Sequence, residues 1–70
     1  MRYRYYWPSI RYRCGVYDET FSTSSPTNTM QEAKDASAVW AEDFHILHAW
    51  IDVYTIDDDG KKHRRKVTLF

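Results

Sequence analysis

The chain has 70 residues, of which 17% are aromatic, and its ten Lys or Arg residues equal its ten Asp or Glu residues in number. A chain of this length forms one domain and buries only about 60% of the surface that its unfolded form exposes, so large rings are a useful source of apolar burial. The composition excludes a disordered chain, a disulfide framework, since Cys14 is the single cysteine, and a membrane span. No apolar run of signal-peptide type follows Arg2, and we expect a cytoplasmic protein without membrane contact.

Although the net charge is zero, the positive and negative residues are separated along the chain. Nine of the ten cations lie in two blocks without acids, residues 1–17 and 61–66, whereas all ten acids lie between Asp18 and Asp59. If folding brings the two blocks together, a protein of zero net charge acquires a basic face.

The first segment, MRYRYYWPSIRYRC, is typical of β structure with an irregularity near Pro8. Apolar and polar residues alternate on both sides of the Trp7-Pro8-Ser9 stretch, but the parity of the apolar positions changes there. A turn at this stretch predicts two strands, at about 2–7 and 10–17. A bulge in one long strand also explains the change, and then the second strand covers 16–22.

A helix is predicted at about 29–45. Thr29 and Glu32 have the spacing of a capping box, and a loop containing Pro26 precedes them. One stripe at helical spacing is expected to face the core, and its members are Met30, Ala33, Ser37, Trp40, Ala41 and Phe44. We expect Trp40 and Phe44 to face the apolar residues of the strands that follow.

Two strands, at about 47–56 and 62–69, are predicted to form a hairpin after the helix. A three-residue loop, Asp58-Asp59-Gly60, places Ile51 opposite Val67 and gives Gly60 the left-handed position. The same register places Ala49 opposite Leu69, Asp52 opposite Lys66, and Tyr54 opposite Arg64. The whole sequence therefore predicts an α+β domain, an antiparallel sheet of three or four strands packed on one face by one helix in the order β-β-α-β-β.

Cations and rings are expected to lie together on the uncovered face of this sheet. Arginines suit phosphates and flat rings suit unstacked bases, as in proteins that read single strands on a sheet. The candidate binding residues are Arg2, Arg4, Tyr6, Arg11, Arg13, Trp50, Tyr54, Arg64 and Lys66. An alternative interpretation is that these side chains only solvate the sheet and protect its edges from aggregation.

Other chemistry has little support in the sequence. The twelfth residue from Asp57 is Thr68, where a calcium loop requires glutamate, and the histidines and Cys14 lack the spacing of a zinc site. The chain has no phosphate-binding glycine loop and no nucleophile elbow, so we expect neither a metal, a cofactor nor an enzyme.

We therefore expect a non-catalytic binding module whose partner is nucleic acid, single-stranded or duplex. The alternative is a protein-interaction module that binds an acidic protein or a second copy of itself. In size, single helix and Tyr/Arg-rich strands the chain loosely resembles small accessory proteins of phages and mobile elements. That resemblance includes no motif and assigns no residue.

Overall fold

The computed structural model describes residues 3–43 and 45–70. Its elements in chain order are β1 (Tyr3–Cys14), β2 (Tyr17–Ser22), α1 (Met30–Asp43), β3 (His45–Ile56) and β4 (Lys62–Thr68). The strands form one antiparallel sheet in the order β2-β1-β3-β4, and α1 lies over β1 and β3. The predicted fold class and element order are thus confirmed. Within the described ranges, no helix is long and apolar enough to cross a membrane.

The first segment is one strand, and the predicted break at Pro8 is wrong. β1 runs through Trp7, Pro8 and Ser9 without a change of register, and its partners there on β3 are consecutive residues. The predicted strands 2–7 and 10–17 are therefore replaced by Tyr3–Cys14 and Tyr17–Ser22. The alternative of one long strand is correct in this division, but the bulge that it placed at Trp7-Pro8-Ser9 is wrong. An irregularity does occur further along, where Arg11 pairs with His48 and Tyr12 with Ile46, so β3 has one extra residue.

Pro8 is compatible with a central strand because its missing N–H would point away from β3. Tyr6, two residues earlier, exchanges both backbone hydrogen bonds with Thr27 on the opposite side of β1. Strand alternation directs the nitrogen of Pro8 to that same side, between this bridge and Ser22, where β2 ends. No hydrogen bond to β3 is lost, and the buried ring of Pro8 packs beneath α1.

The β3–β4 hairpin has the predicted register. Ile51 pairs with Val67, Asp52 with Lys66, and Tyr54 with Arg64. The amide of Gly60 donates to the carbonyl of Asp57 at 3.0 Å, and Gly60 has a φ of 82°. The three-residue loop is thus confirmed, and a β-carbon at the left-handed residue would be strained.

The helix begins as predicted and packs on a small aliphatic core. The amide of Glu32 donates to Oγ1 of Thr29 at 3.1 Å, which satisfies one of the free amides of the first turn. Ala33, Ile51 and Val53 form the buried cluster. Partly buried apolar residues surround this cluster, and they are Tyr6, Met30, Val67 and Leu69.

The predicted environment of Trp40 is wrong. Its ring is only partly buried and meets Phe21 of β2 edge-on, at a centroid distance of 5.1 Å, instead of facing the β3–β4 hairpin. The reason is that Trp40 lies on the side of α1 that faces β2, whereas Ala38 and Ala41 lie over β3 and the end of the β3–β4 hairpin. The predicted core position of Phe44 falls outside the described residues.

Candidate functional site

The face of the sheet opposite α1, called the open face below, carries rings and cations side by side. It is composed of alternate residues of each strand, because successive side chains point to opposite faces. Its rings are Tyr3, Tyr5, Trp7, Trp50 and Tyr54, and its cations are Arg11, Arg13, Lys62, Arg64 and Lys66. Among the described strand residues, Asp18 and Asp52 are the carboxylates on this face.

The predicted face differs from the observed one at the start of β1. Tyr6 lies on the helix side and packs on the core cluster, so it is not a binding residue of the open face. Arg4 is an even-numbered neighbour of Tyr6 and also lies on the helix side, opposite Thr55. Both assignments fail because β1 keeps one parity through Pro8. Arg2 lies outside the described residues.

Sequence reasoning missed four members of the open face: Tyr3, Tyr5, Trp7 and Lys62. Had the alternation from Arg13 and Arg11 been continued backwards without a break, it would have placed the first three there. Lys62 follows from the hairpin register, since it is two residues before Arg64 on β4. The remaining predicted residues, Arg11, Arg13, Trp50, Tyr54, Arg64 and Lys66, do lie on this face.

Four rings form a continuous cluster at the end of the open face. Tyr5 and Tyr54 stack with their centroids 5.0 Å apart and their planes 14° from parallel. Trp7 meets both rings edge-on, at 6.4 Å from Tyr5 and 6.5 Å from Tyr54. Tyr3 extends the row at 5.6 Å from Tyr5 and is 52% exposed. Tyr3, at the outer end of the row, is therefore the most exposed ring of this cluster.

The indole of Trp7 is held in place by a hydrogen bond to the loop after β2. Its Nε1 donates to the carbonyl oxygen of Thr23 at 2.7 Å, immediately after β2 ends. Next to it, the hydroxyls of Ser9 and Ser22 are 2.7 Å apart and link β1 to the end of β2. The indole is thus held by the sheet and the following loop together, so the cluster has little freedom to rearrange.

The cations of β4 contact the residue of β3 diagonal to their own pairing partner. Nζ of Lys62 is 4.7 Å from the centre of the Tyr54 ring, and Nζ of Lys66 is 4.6 Å from that of Trp50. The guanidinium of Arg64 binds Asp52 rather than Tyr54. In each case the contact is displaced by two residues from the strand-pairing partner, because long side chains lean along the strands and reach the diagonal neighbour.

Asp52 is the central anion of the open face and its oxygens are occupied. Its Oδ1 accepts hydrogen bonds from Nε and Nη2 of Arg64 at 3.2 and 3.1 Å. Its Oδ2 accepts from Nε1 of Trp50 at 3.4 Å. Only 8% of Asp52 is exposed, whereas the Arg64 side chain is 60% exposed. The carboxylate is therefore neutralised locally, and the surface above it is made of cations and rings.

A second ion-pair group lies at the other end of the face, where β1 meets β2. Asp18 lies 3.0 Å from Nε of Arg13 and 3.8 Å from Nε of Arg11. Both arginine side chains are half exposed, so one carboxylate is shared by two accessible guanidiniums. This end of the face therefore keeps a positive balance.

The hairpin turn adds an ordered carboxylate on the helix side. Oδ2 of Asp57 is 3.0 Å from Nε2 of His63, and its Oδ1 accepts the amide of Lys61 at 3.0 Å. The hydrogen bond to His63, followed by those from the turn amides, holds the pKa of Asp57 below its ordinary value of 3.8. Within residues 3–43 and 45–70, no group of three His, Cys, Asp or Glu side chains is placed to hold a metal ion.

Comparison with known proteins provides no relative from which residues could be carried over. No family model, no curated protein and no solved structure matches the chain. The function therefore has to be inferred from the open face and its surroundings.

Proposed function

We propose that the protein is a non-catalytic binding module whose open face binds single-stranded nucleic acid. The observation that carries the proposal is one uncovered sheet face with five rings and five cations, against two carboxylates that are both already paired. Rings on a flat sheet stack with bases of any sequence, and cations beside them neutralise the backbone. Within the cell, the cytoplasm is the expected setting, because the exposed thiol of Cys14 stays reduced there.

The distribution of the acids supports the same proposal. Four of the ten acids belong to α1, on the far side of the sheet, and three belong to the β3–β4 turn and its entry. A polyanion lying across the open face would therefore meet the cations of β1 and β4, while Glu32, Asp35 and Glu42 of α1 stay behind the sheet. The acids of α1 are thus kept apart from the five cations of the open face, although Arg4 and Arg65 lie on the helix side.

The proposal assigns different roles to the rings and to the cations of the open face. Tyr3 and Trp50 offer ring surface for stacking, with Tyr5, Trp7 and Tyr54 forming the rigid support beneath and beside the bases. The cations contact phosphates on both sides of this row, and they are Arg11, Arg13, Lys62, Arg64 and Lys66. Lys62 and Lys66 already lie over rings, so a stacked base would lie next to a positive charge.

Fluorescence anisotropy with a labelled mixed-sequence single strand, measured over a range of salt concentrations, tests the proposal. The logarithm of the binding constant should fall with the logarithm of salt concentration by about 0.7 for each phosphate neutralised, which gives a slope of roughly −2 to −3.5 for three to five contacts. Lys66→Gln should reduce the slope by about 0.7. Lys34→Gln removes an exposed cation from α1 and should change nothing.

A pair of tyrosine variants separates stacking from charge. Tyr3→Ala should weaken binding about 5- to 150-fold, the range for one lost base–ring stack, with the salt slope unchanged. Tyr17→Ala is the matched control, because Tyr17 is 71% exposed but belongs to β2 outside the ring cluster. Absence of binding at low salt, or equal losses in the two variants, would contradict the proposal. Tighter binding to a duplex than to the single strand would replace stacking with groove contacts as the mechanism.

A second candidate function is homodimerisation through β2. All six residues of this edge strand are exposed, and in the described part of the chain it pairs with β1 alone. An unpaired edge is a template for joining a second copy. Sedimentation at low and high salt distinguishes the two: a dimer that is indifferent to salt and ignores the oligonucleotide would favour self-association.

A further inference from the structure

A separate cavity lies on the helix side of the sheet, at the end nearest the β3–β4 turn. Its volume is about 310 Å³, and it is lined by Arg4, Val53, Thr55, His63, Arg64 and Arg65. Met30, the first residue of α1, packs on a core cluster that ends at Val53. The next row of the sheet, Arg4, Thr55 and His63, therefore extends beyond the helix. Because α1 does not cover this row, a space remains above the sheet there, and that space is the cavity.

The arginines of this cavity differ from those of the open face in whether a carboxylate lies close to them. Arg11, Arg13 and Arg64 each have a carboxylate within 4 Å, and Arg64 directs its guanidinium to Asp52 across the sheet. Arg4 and Arg65 make no ion pair with any carboxylate of the described residues. Two guanidiniums thus lie at one cavity without an internal anion.

His63 and Thr55 supply the remaining polar groups. The imidazole of His63 is oriented by Asp57, whose second oxygen is occupied by the amide of Lys61. Asp57 is the carboxylate nearest to this side chain, and both of its oxygens are engaged in the turn, so it orders the edge of the cavity. Thr55 lies in the same row, between Arg4 and His63.

We infer that this cavity is a phosphate-binding site, distinct from the open face, for a phosphate or diphosphate group. Guanidiniums bind phosphate oxygens with paired, charge-assisted hydrogen bonds, and a hydroxyl and an imidazole complete the polar lining. The volume is at the lower end of the range for small-ligand sites, which fits a phosphate group better than a whole nucleotide. The group belongs either to a small phosphorylated molecule or to the terminal phosphate of a strand.

Titration with inorganic pyrophosphate at constant ionic strength, followed by NMR of backbone amides and arginine Nε groups, tests the site without any nucleic acid. Saturable shifts are expected at Arg4, His63 and Arg65. Arg65→Gln should weaken pyrophosphate binding by about tenfold, the order of one charge-assisted hydrogen-bonded contact. Lys34→Gln removes the same charge from α1 and should keep the affinity. Thermal melting of both variants checks that neither loses its fold.

The absence of saturable shifts in the cavity, or equal weakening by Arg65→Gln and Lys34→Gln, would overturn the inference. Two oligonucleotides that differ only in a 5′-phosphate or a 5′-hydroxyl then identify the source. Tighter binding of the phosphorylated strand, lost in Arg65→Gln, assigns the site to a strand end. Equal binding of the two strands, with pyrophosphate still bound, assigns it to a small molecule. Because pyrophosphate is the primary probe, failure on the open face leaves this result unaffected.

Discussion

The two faces of the sheet are built from different interactions, although they share every strand. The helix side is held by a few small aliphatic residues, with Ile10, Ile51 and Val53 at its centre. Among the described residues, the open face has no buried aliphatic cluster. It is ordered by ring contacts and by cations that each have a defined partner. The difference indicates that one face supplies stability and the other supplies a surface whose side chains are already positioned. Substitutions on the two faces should therefore separate folding from binding.

The largest effect is expected on the helix side. Ile51→Ala removes a fully buried side chain and should lower the free energy of unfolding by about 2–5 kcal/mol. A domain of this size has roughly 4–10 kcal/mol in total, so the variant should melt far below the parent. Urea denaturation followed by circular dichroism measures the change.

Val67→Ala is the matched control for that experiment. Val67 pairs with Ile51 across the hairpin but is only partly buried, so its loss should be clearly smaller. If the two variants are equally destabilised, or Ile51→Ala loses less than about 1 kcal/mol, the stability does not originate in this cluster.

An intermediate effect, with opposite signs for folding and binding, is expected at Asp52. Asp52→Asn weakens the hydrogen bonds from Arg64 and should cost about 1–2 kcal/mol, discounted because the guanidinium is mostly exposed. The same change removes the central anion of the open face and releases Arg64. We expect tighter binding of single strands and a salt slope steeper by about 0.7.

Glu42→Gln removes an exposed acid from α1, behind the sheet, and is the control for Asp52→Asn. The same gain in affinity from both variants would mean that only net charge matters. Loss of affinity in Asp52→Asn would show that the Asp52–Arg64 pair positions the face instead of masking a cation.

The smallest effect concerns the hairpin turn, and it disappears in acid. The pKa of Asp57 is lowered in the folded protein, chiefly by its hydrogen bond to His63, so the folded state binds this proton less readily than the unfolded state. Its contribution is complete above the ordinary value of 3.8 and is lost as the pH falls through the lowered pKa. Melting temperatures of Asp57→Asn and the parent should converge below pH 3.8.

Asp59→Asn, in the same turn, should leave that acid dependence in place. An unchanged pH profile in Asp57→Asn would show that the Asp57–His63 hydrogen bond does not couple to folding.

Much of the fold is readable from the sequence because its signals are local. The register of β3 and β4 follows from requiring Ile51 and Val67 on one face, and the glycine in the loop leaves one turn length consistent with it. The start of α1 follows from the threonine oxygen and the amide three residues later. In these elements, the residues that decide the structure are neighbours in the chain.

The open face is harder to predict from the sequence, because β1 carries apolar side chains on both of its sides. Rings lie on its open side at Tyr3, Tyr5 and Trp7, and a proline and an isoleucine lie on its helix side at Pro8 and Ile10. The strand itself therefore continues without a break. What changes near Pro8 is the face of the sheet on which the apolar side chains of β1 lie. A continuous strand is possible because the nitrogen of Pro8 points to an unpaired position between the Thr27 bridge and the end of β2. That position depends on residues far from Pro8 in the chain, so the sequence around Pro8 does not indicate it.

The order of strands in the sheet also has a consequence for how the chain folds. The central pair joins β1 to β3, so Tyr3 pairs with Ile56, which lies 53 positions further along the 70-residue chain. Such distant pairing is slow compared with closure of the neighbouring β3–β4 hairpin. During synthesis, β1 stays unpaired with β3 until β3 has left the ribosome. We therefore expect the Tyr5–Tyr54 stack, and with it the continuous row of rings, to form after the β3–β4 hairpin.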